Sequence, residues 1–312
     1  MEPLGRDLRD LLPVVDEDVA ASVRAIRKQE IRRREPHHHE EFHIRVIEDP
    51  AEFYDALATN MLRRMNQAAA EDRPFVGVFP VGPVGQYDRL AQKITAERVD
   101  LDHCTLFFMD EYAYPNGQTI DKSSAWSFEY TAHRHLFDLI SGTGLDLSRV
   151  HFPGPDNIAQ YDEMILDASD GRGADVVYGG VGWCGHFAFW EPHLIEEFAS
   201  DVDWMGAHSA FVRLHPMSLL HNSLRAGGDW TSIPPCAYTV GPGVILGAKY
   251  RSFWLDAHLG SGMSWQRFIG RLITHGPVTP QIPASYLQTL PGDVVFLGAV
   301  AEDIGGPRVS WQ

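Results

Sequence analysis

Three short stretches of the chain carry side chains that can move protons or hold a ligand, and each follows an apolar run of strand length. The first is Met109-Asp110-Glu111-Tyr112, after Thr105-Leu106-Phe107-Phe108. Neighbouring side chains on an extended segment alternate faces, so one carboxylate can enter a cleft while the other pairs within the structure. A carboxylate in a closed site can take a proton from carbon at neutral pH. The second stretch runs from Gly179 to His193 and sets His186 and Glu191 on one glycine-rich loop. Glu191 can orient and charge-tune the imidazole, and the glycines let backbone approach a ligand closely. A histidine satisfied within the core is the competing reading. Cys184, His186, Glu191 and His193 also offer zinc donors, but their spacing fits no metal motif, and no metal is expected. The third stretch, Pro80 to Tyr87, is a glycine-containing turn opening a helix. Such a turn can present N–H groups to an anion, although it is neither a Walker A loop nor a dinucleotide fingerprint, and an ordinary tight turn reads the same way.

The elements that must position these residues alternate in type. Strands are expected at Phe42–Ile47, Phe75–Phe79, Thr105–Met109, Ala174–Gly180, Ser252–Ala257 and Asp293–Leu297. Helices are expected at Pro50–Ala70, from Gly85 through Ile94, at Ser123–Ile140 with Ser123 or Ser124 as N-cap, and at Asn157–Ala168, Ser264–Thr274 and Pro283–Leu290. This alternation predicts an α/β fold: a mostly parallel sheet with helices on both faces. Ligands bind such sheets beyond the carboxyl ends of the strands, where all three stretches fall. Residues 1–41 stand apart as an N-terminal helical extension, and residues 42–312 form the catalytic domain. Asp16–Glu35 reads as one helix, acidic at its start and basic toward its end, that is solvated or contacts another subunit. His37-His38-His39 reads as a solvated linker.

With 26 Lys plus Arg against 42 Asp plus Glu, the formal charge of −16 argues against sequence-independent nucleic-acid or anionic-membrane binding. No apolar run reaches membrane-span length, and the N-terminus shows no secretory signal. Three scattered cysteines do not make a disulfide framework, so the reducing cytoplasm is the expected compartment.

From Phe42 to Leu297 the chain resembles the glucosamine-6-phosphate deaminase (isomerase) family, within the group that includes 6-phosphogluconolactonases. The resemblance is carried by Phe107-Phe108-Met109-Asp110-Glu111-Tyr112, by Ser124-Ala125-Trp126-Ser127-Phe128 through His135-Leu136-Phe137, and by Gly180-Val181-Gly182 through Gly185-His186-Phe187-Ala188-Phe189-Trp190-Glu191-Pro192. A lactonase would carry small apolar residues after the histidine, so Glu191 favours the deaminase branch. The resemblance implies a Rossmann-like domain in a cofactor-free, oligomeric enzyme acting on a small-molecule sugar. Asp110 would move a proton between C2 and C1, His186 would assist ring opening, and Glu191 would hold His186. Gly82, Val84, Glu111, Cys184, Gly185 and Arg225 would contact substrate.

The chain departs from the family where phosphate is bound. The family's Thr-Gly-Gly/Ser-Thr-Pro loop is Val81-Gly82-Pro83-Val84-Gly85 here, which lacks both hydroxyls and one N–H. Met263 follows Gly260-Ser261-Gly262 in place of a lysine. Leu224 follows Asn222-Ser223 in place of an arginine, with Arg225 next to it, and Cys184 stands where the family has an acid. The expectation is therefore an aldose–ketose isomerase, with or without deamination, on a sugar or amino sugar lacking the usual 6-phosphate. The alternatives are a lactonase-like hydrolase, a non-catalytic sugar sensor, and a conventional phosphosugar deaminase in which Arg225 or the basic N-terminal helix replaces the lost contacts.

Overall fold

A computed structural model of the chain describes residues 15–257 and 264–305. The expected segment around Met263 lies outside the described residues.

Ten strands divide between two sheets. In chain order they are β1 (Phe42–Ile47), β2 (Phe75–Phe79), β3 (Cys104–Phe108), β4 (Asp110–Ala113), β5 (Val150–His151), β6 (Val176–Gly179), β7 (Ala210–Arg213), β8 (Cys236–Thr239), β9 (Arg251–Leu255) and β10 (Gly292–Leu297). Seven of them form an all-parallel sheet in the order β1-β10-β9-β6-β2-β3-β5. Its interior strands β2, β3, β6, β9 and β10 are buried at every residue, as expected for strands covered on both faces. The helices around the sheet are α1 (Glu17–Ala25), α2 (Pro50–Ala70), α3 (Gly85–Glu97), α4 (Phe128–His135), α5 (Tyr161–Ala168), α6 (Asp201–Met205), α7 (Pro216–Ser223), α8 (Pro242–Gly247), α9 (Gln266–His275) and α10 (Gly298–Ala301). Helix α2 begins at Pro50 behind an Asp49 side-chain cap and buries Phe53, Leu57, Met61, Leu62 and Met65 on one face. No described helix is long and apolar enough to cross a membrane.

The second sheet, β4-β8-β7, is antiparallel and has no counterpart in the expected elements. Its consequence is chemical. Asp110 and Glu111 do not simply trail off β3; they start a new strand, and Asp110 faces Thr239 across the β4–β8 pair.

Several local expectations change. The helix expected at Ser123–Ile140 is shorter: α4 begins after Ser127, whose hydroxyl accepts from the Tyr130 N–H, and Phe137–Leu139 is a separate 3₁₀ turn. Residues 283–289 are also a 3₁₀ segment. The N-terminal helix stops at Ala25, because Ile26 is extended and a 3₁₀ turn follows at Lys28–Glu30.

The extension is not a solvated arm. Val23, Ile26 and Ile31 join the main core, and the Arg271 guanidinium donates to the Ile26 carbonyl. Its basic residues pair locally: Arg27 with Asp303, Lys28 with Glu48 and Glu302, and Arg33 with Glu35. The histidine cluster is not a solvated linker either. His38 is buried with Nε2 2.8 Å from the Thr274 carbonyl oxygen, and His37 Nε2 is 2.8 Å from Gln288 Oε1. The strand–helix alternation fixes the sheet, but only the tertiary surface of α9 shows that this basic segment has something to cover.

Candidate functional site

Four adjacent strands, β9, β6, β2 and β3, run parallel and end at the same edge of the sheet. Their continuations wall a cleft of about 520 Å³: Asp256 after β9, Gly180–Val181–Gly182 after β6, Pro80–Gly85 after β2, and Met109–Asp110 after β3. Tyr112, Phe128 and Phe189 form an aromatic wall, while His221, Asn222, Leu224 and Arg225 close another side.

Asp110 lines this cleft. One carboxylate oxygen accepts from the Phe189 N–H at 3.2 Å and from the Thr239 hydroxyl. Ala188, at φ +50, turns the loop immediately before that N–H. Burial raises the Asp110 pKa to about 7, against the opposing pull of the Thr239 hydrogen bond and the nearby His186 charge. A base with that pKa is half ionised near neutrality, which suits proton transfer to and from carbon.

Glu111 points the other way. Its carboxylate accepts from the N–H groups of Tyr112 (2.9 Å), Phe128 (3.0 Å) and Glu129 (2.9 Å) and from the Ser127 hydroxyl (3.0 Å). The Ser127, Phe128 and Glu129 donors open α4, so Glu111 caps a helix and does not line the cleft. The substrate contact expected of it is replaced by a structural one, because its lone pairs are already engaged.

His186 also lines the cleft and is held from behind. Around its Nδ1 lie Glu191 Oε1 at 3.1 Å, Cys184 Sγ at 3.3 Å and Ser218 Oγ at 3.4 Å. Burial, the largest influence on the ring, disfavours its charge; Cys184 and then Glu191 outweigh it, and the net shift is upward. Glu191 is fully buried, yet the His186 contact, Ser218 and the His215 N–H together hold its pKa down. With Nδ1 so occupied, Nε2 is the ring atom left for substrate. It lies directly over Gly182, where a Cβ would come within 1.9 Å of it. Gly185, at φ +82, packs its Cα toward Ile282 and, like Cys184, lies behind the cleft surface rather than on it. Of the residues expected to contact substrate, Gly82, Val84 and Arg225 line the cleft and Glu111, Cys184 and Gly185 do not.

Cys184, His186 and Glu191 present ligand atoms within 4.8 Å of one another, a donor set that could hold a metal ion. His193 does not join them: its Nε2 is 3.1 Å from the Arg213 carbonyl. None of the basic residues of the N-terminal segment lines the cleft, so the phosphate contacts expected as one alternative from that helix are absent among the described residues.

Sequence reasoning missed Thr239, Ser218, Tyr54, Asp256, His221 and Trp265. Thr239 and Ser218 reach Asp110 and His186 only through β8 and α7, which carry no local signal. Asp256 had one: it ends an expected strand at the ligand-binding edge of the sheet.

No protein-family model matches the chain. It is 29% identical over 222 residues to a glucosamine-6-phosphate deaminase of Porphyromonas gingivalis, covering 69% of this chain and 78% of that protein. It is also 29% identical over 212 residues to glucosamine-6-phosphate deaminase 2 of Bacillus subtilis, covering 66% of this chain and 75% of that protein. In fold it matches a monomeric glucosamine-6-phosphate deaminase with a TM-score of 0.68 at 19% identity, over 83% of this chain and 98% of that one. A 6-phosphogluconolactonase of Thermotoga maritima matches with a TM-score of 0.59 at 17% identity, over 82% of this chain and 99% of that one. The fold is the α/β fold of these solved enzymes. In sequence the chain is similar to glucosamine-6-phosphate deaminases, and it shares its fold with such a deaminase and with 6-phosphogluconolactonases.

Proposed function

We propose that the protein is an aldose–ketose isomerase of amino sugars, releasing ammonia where the substrate carries a 2-amino group, and that its substrate lacks a 6-phosphate. The observation that carries this reading is the pairing in one cleft of Asp110, with its pKa at about 7, and a His186 held by Glu191. His186 Nε2 gives a proton to the ring oxygen as the C1–O5 bond breaks, the O1 hydroxyl gives its own proton to water, and the C1 aldehyde forms. Asp110 then takes the C2 proton, the electrons of the C2–H bond form the C1=C2 double bond of an enolamine, and the carbonyl electrons move to O1, which regains a proton from water. Returning that proton to C1 leaves a C2 imine; water adds, ammonia departs and a ketose remains. A substrate without a phosphate fits the walls, since Val81, Pro83 and Val84 offer no side-chain donor to a dianion.

Arg225 supports a second reading, conventional glucosamine-6-phosphate deamination, because it is a cation that does line the cleft. Ammonia and ketose formation from glucosamine and from glucosamine 6-phosphate separates the two. The first reading predicts the larger kcat/KM for glucosamine. A hundredfold preference for the phosphorylated sugar would overturn it, and lactone hydrolysis without ammonia release from either sugar would replace the isomerase reading itself.

A further inference from the structure

The cleft continues outward from its catalytic pair along an aromatic shelf. Trp265, the N-cap residue of α9, lines the cleft, and the His221 ring stands against it with 4.1 Å between centroids. Trp183 packs on Trp265 in turn, with 6.0 Å between ring centroids and the planes tilted by 38°. Trp183 lies beyond the cleft lining and is 39% exposed. It sits on the turn closed by the Gly185 N–H and the Gly182 carbonyl at 2.9 Å, and Gly182 is the residue under His186 Nε2. The shelf is held in place by Gln266, which is buried. Its Nε2 donates to the Val181 carbonyl at 2.7 Å, and its Oε1 accepts from the Ala257 N–H at 2.8 Å. The start of α9 is thus tied to the segments that follow β6 and β9, and the two indoles keep a set spacing. Little ordering entropy is then lost when a ring is laid on them.

An exposed indole beside a cleft offers a broad apolar face with a polar N–H edge. A pyranose ring presents the matching surface, with C–H groups on one face and hydroxyls around the rim. Laying that face on an indole removes apolar area from water and leaves the hydroxyls solvated. Size agrees: the cleft, at about 520 Å³, falls in the range that encloses drug-sized ligands, which are larger than one hexosamine. Charge narrows the choice of ring. Burial, followed by the charges of His186 and Arg225, pushes the His221 imidazole down to about 3, so it is neutral near pH 7. Those same two charges oppose a cationic ring laid beside His221, and a neutral sugar meets no such penalty.

We propose that Trp183 and Trp265 form a second sugar subsite, which takes a neutral pyranose ring joined to the amino sugar in the cleft. Ring opening needs a free C1, so the outer ring is linked through one of the other hydroxyls. This deepens the reading given above, rests on it for the sugar in the cleft, and names the substrate class: a disaccharide with an amino sugar at its reducing end. Trp183 and Trp265 bind the outer ring and have no part in the proton transfers.

The test is calorimetric binding to the full-length protein of glucosamine and of two disaccharides that carry N-acetylglucosamine on its O4 or its O6. Ammonia release from each is followed in parallel. At least one disaccharide should bind about tenfold or more tightly than glucosamine. Trp183→Ala should abolish most of that advantage, and Trp183→Phe, which keeps an aromatic face, should retain most of it. Melting temperatures check folding, and Trp265→Ala serves if Trp183→Ala is unstable. Sedimentation velocity shows whether the shelf is instead a contact between copies of the chain. The subsite is overturned if neither disaccharide binds more tightly than glucosamine, or if a folded Trp183→Ala keeps the advantage within twofold of wild type. It is equally overturned if Trp183→Ala dissociates an oligomer and leaves the advantage unchanged. If the advantage is present and lost as expected but no sugar is turned over, the subsite stands and the isomerase reading falls.

Discussion

Asp110 and Glu111 are consecutive carboxylates of almost equal burial, 7% and 3% exposed, and they meet opposite fates. Glu111 is surrounded by four donors, three of which hold it to the start of α4. Asp110 has donors on one oxygen only and faces the cleft with its pKa at about 7. The two walls of the cleft differ in a comparable way. Around Asp110 and His186 each polar group is positioned by another, as proton transfer requires; around Gly82 to Gly85 the wall is apolar, with Asp256 as its acid. A buried carboxylate is thus a structural part or a candidate reagent according to how many of its lone pairs the protein already uses.

The largest expected effect comes from removing the reagent. Asp110→Asn should lower turnover by about 10²–10⁴, the usual share of a general base, read as ketose or ammonia formation. Its stability should not fall with it. Because the folded-state pKa of Asp110 lies above its unfolded value, ionising this group costs stability as pH rises from about 4 toward 7, and the amide never incurs that cost. A melting temperature at pH 8 no lower than wild type is the check; a collapsed fold would make Asp110 structural like its neighbour.

Glu111→Ala should show the converse. Leaving the N–H groups at the start of α4 and the Ser127 hydroxyl without their acceptor should cost about 2–4 kcal/mol, measured by denaturant unfolding. The protein that remains folded should keep turnover within a few fold. A stable Glu111→Ala with lost activity would erase the contrast between the two carboxylates.

Much of this contrast was legible in the sequence, and the missing part has a physical cause. Phe42–Ile47 and Pro50–Ala70 are read to the residue because periodicity, Pro50 at the helix start and the Asp49 cap all agree. Side-chain alternation implies that Asp110 and Glu111 face opposite ways, but which one faces the cleft depends on β4 pairing with β8, a contact between distant segments. For the same reason Thr239 and Ser218 could not be found locally. The N-terminal segment was misjudged because its many charges mask Val23, Ile26 and Ile31, which the core takes up, while its basic residues pair with Asp303, Glu48 and Glu302 at the surface.

The pH profile sharpens the picture of Asp110 further. It acts as a base only when ionised, so kcat/KM should rise with pH and level off above a pKa of about 7. The Thr239 hydroxyl favours the ionised form, so Thr239→Val should move that limb to higher pH by up to about one unit. An unmoved limb would assign it to another group.

The smallest effect is expected behind His186. A serine keeps a hydrogen-bonding group at Nδ1 beside the Glu191 carboxylate, so Cys184→Ser should change turnover less than about threefold, and Cys184→Asp should preserve or raise ring opening. A folded but inactive Cys184→Ser would point instead to thiolate chemistry or to a metal held by Cys184, His186 and Glu191.

Proton exchange at carbon tests the role of Asp110 most directly, because it does not depend on product release or on the fate of the nitrogen. Glucosamine incubated with the protein in deuterated water, followed by proton NMR, should lose its C2–H signal, and Asp110→Asn should slow that loss by about 10²–10⁴ while melting normally. Exchange at the wild-type rate in a folded Asp110→Asn would remove Asp110 from the mechanism and contradict the assignment of this cleft as an isomerase site.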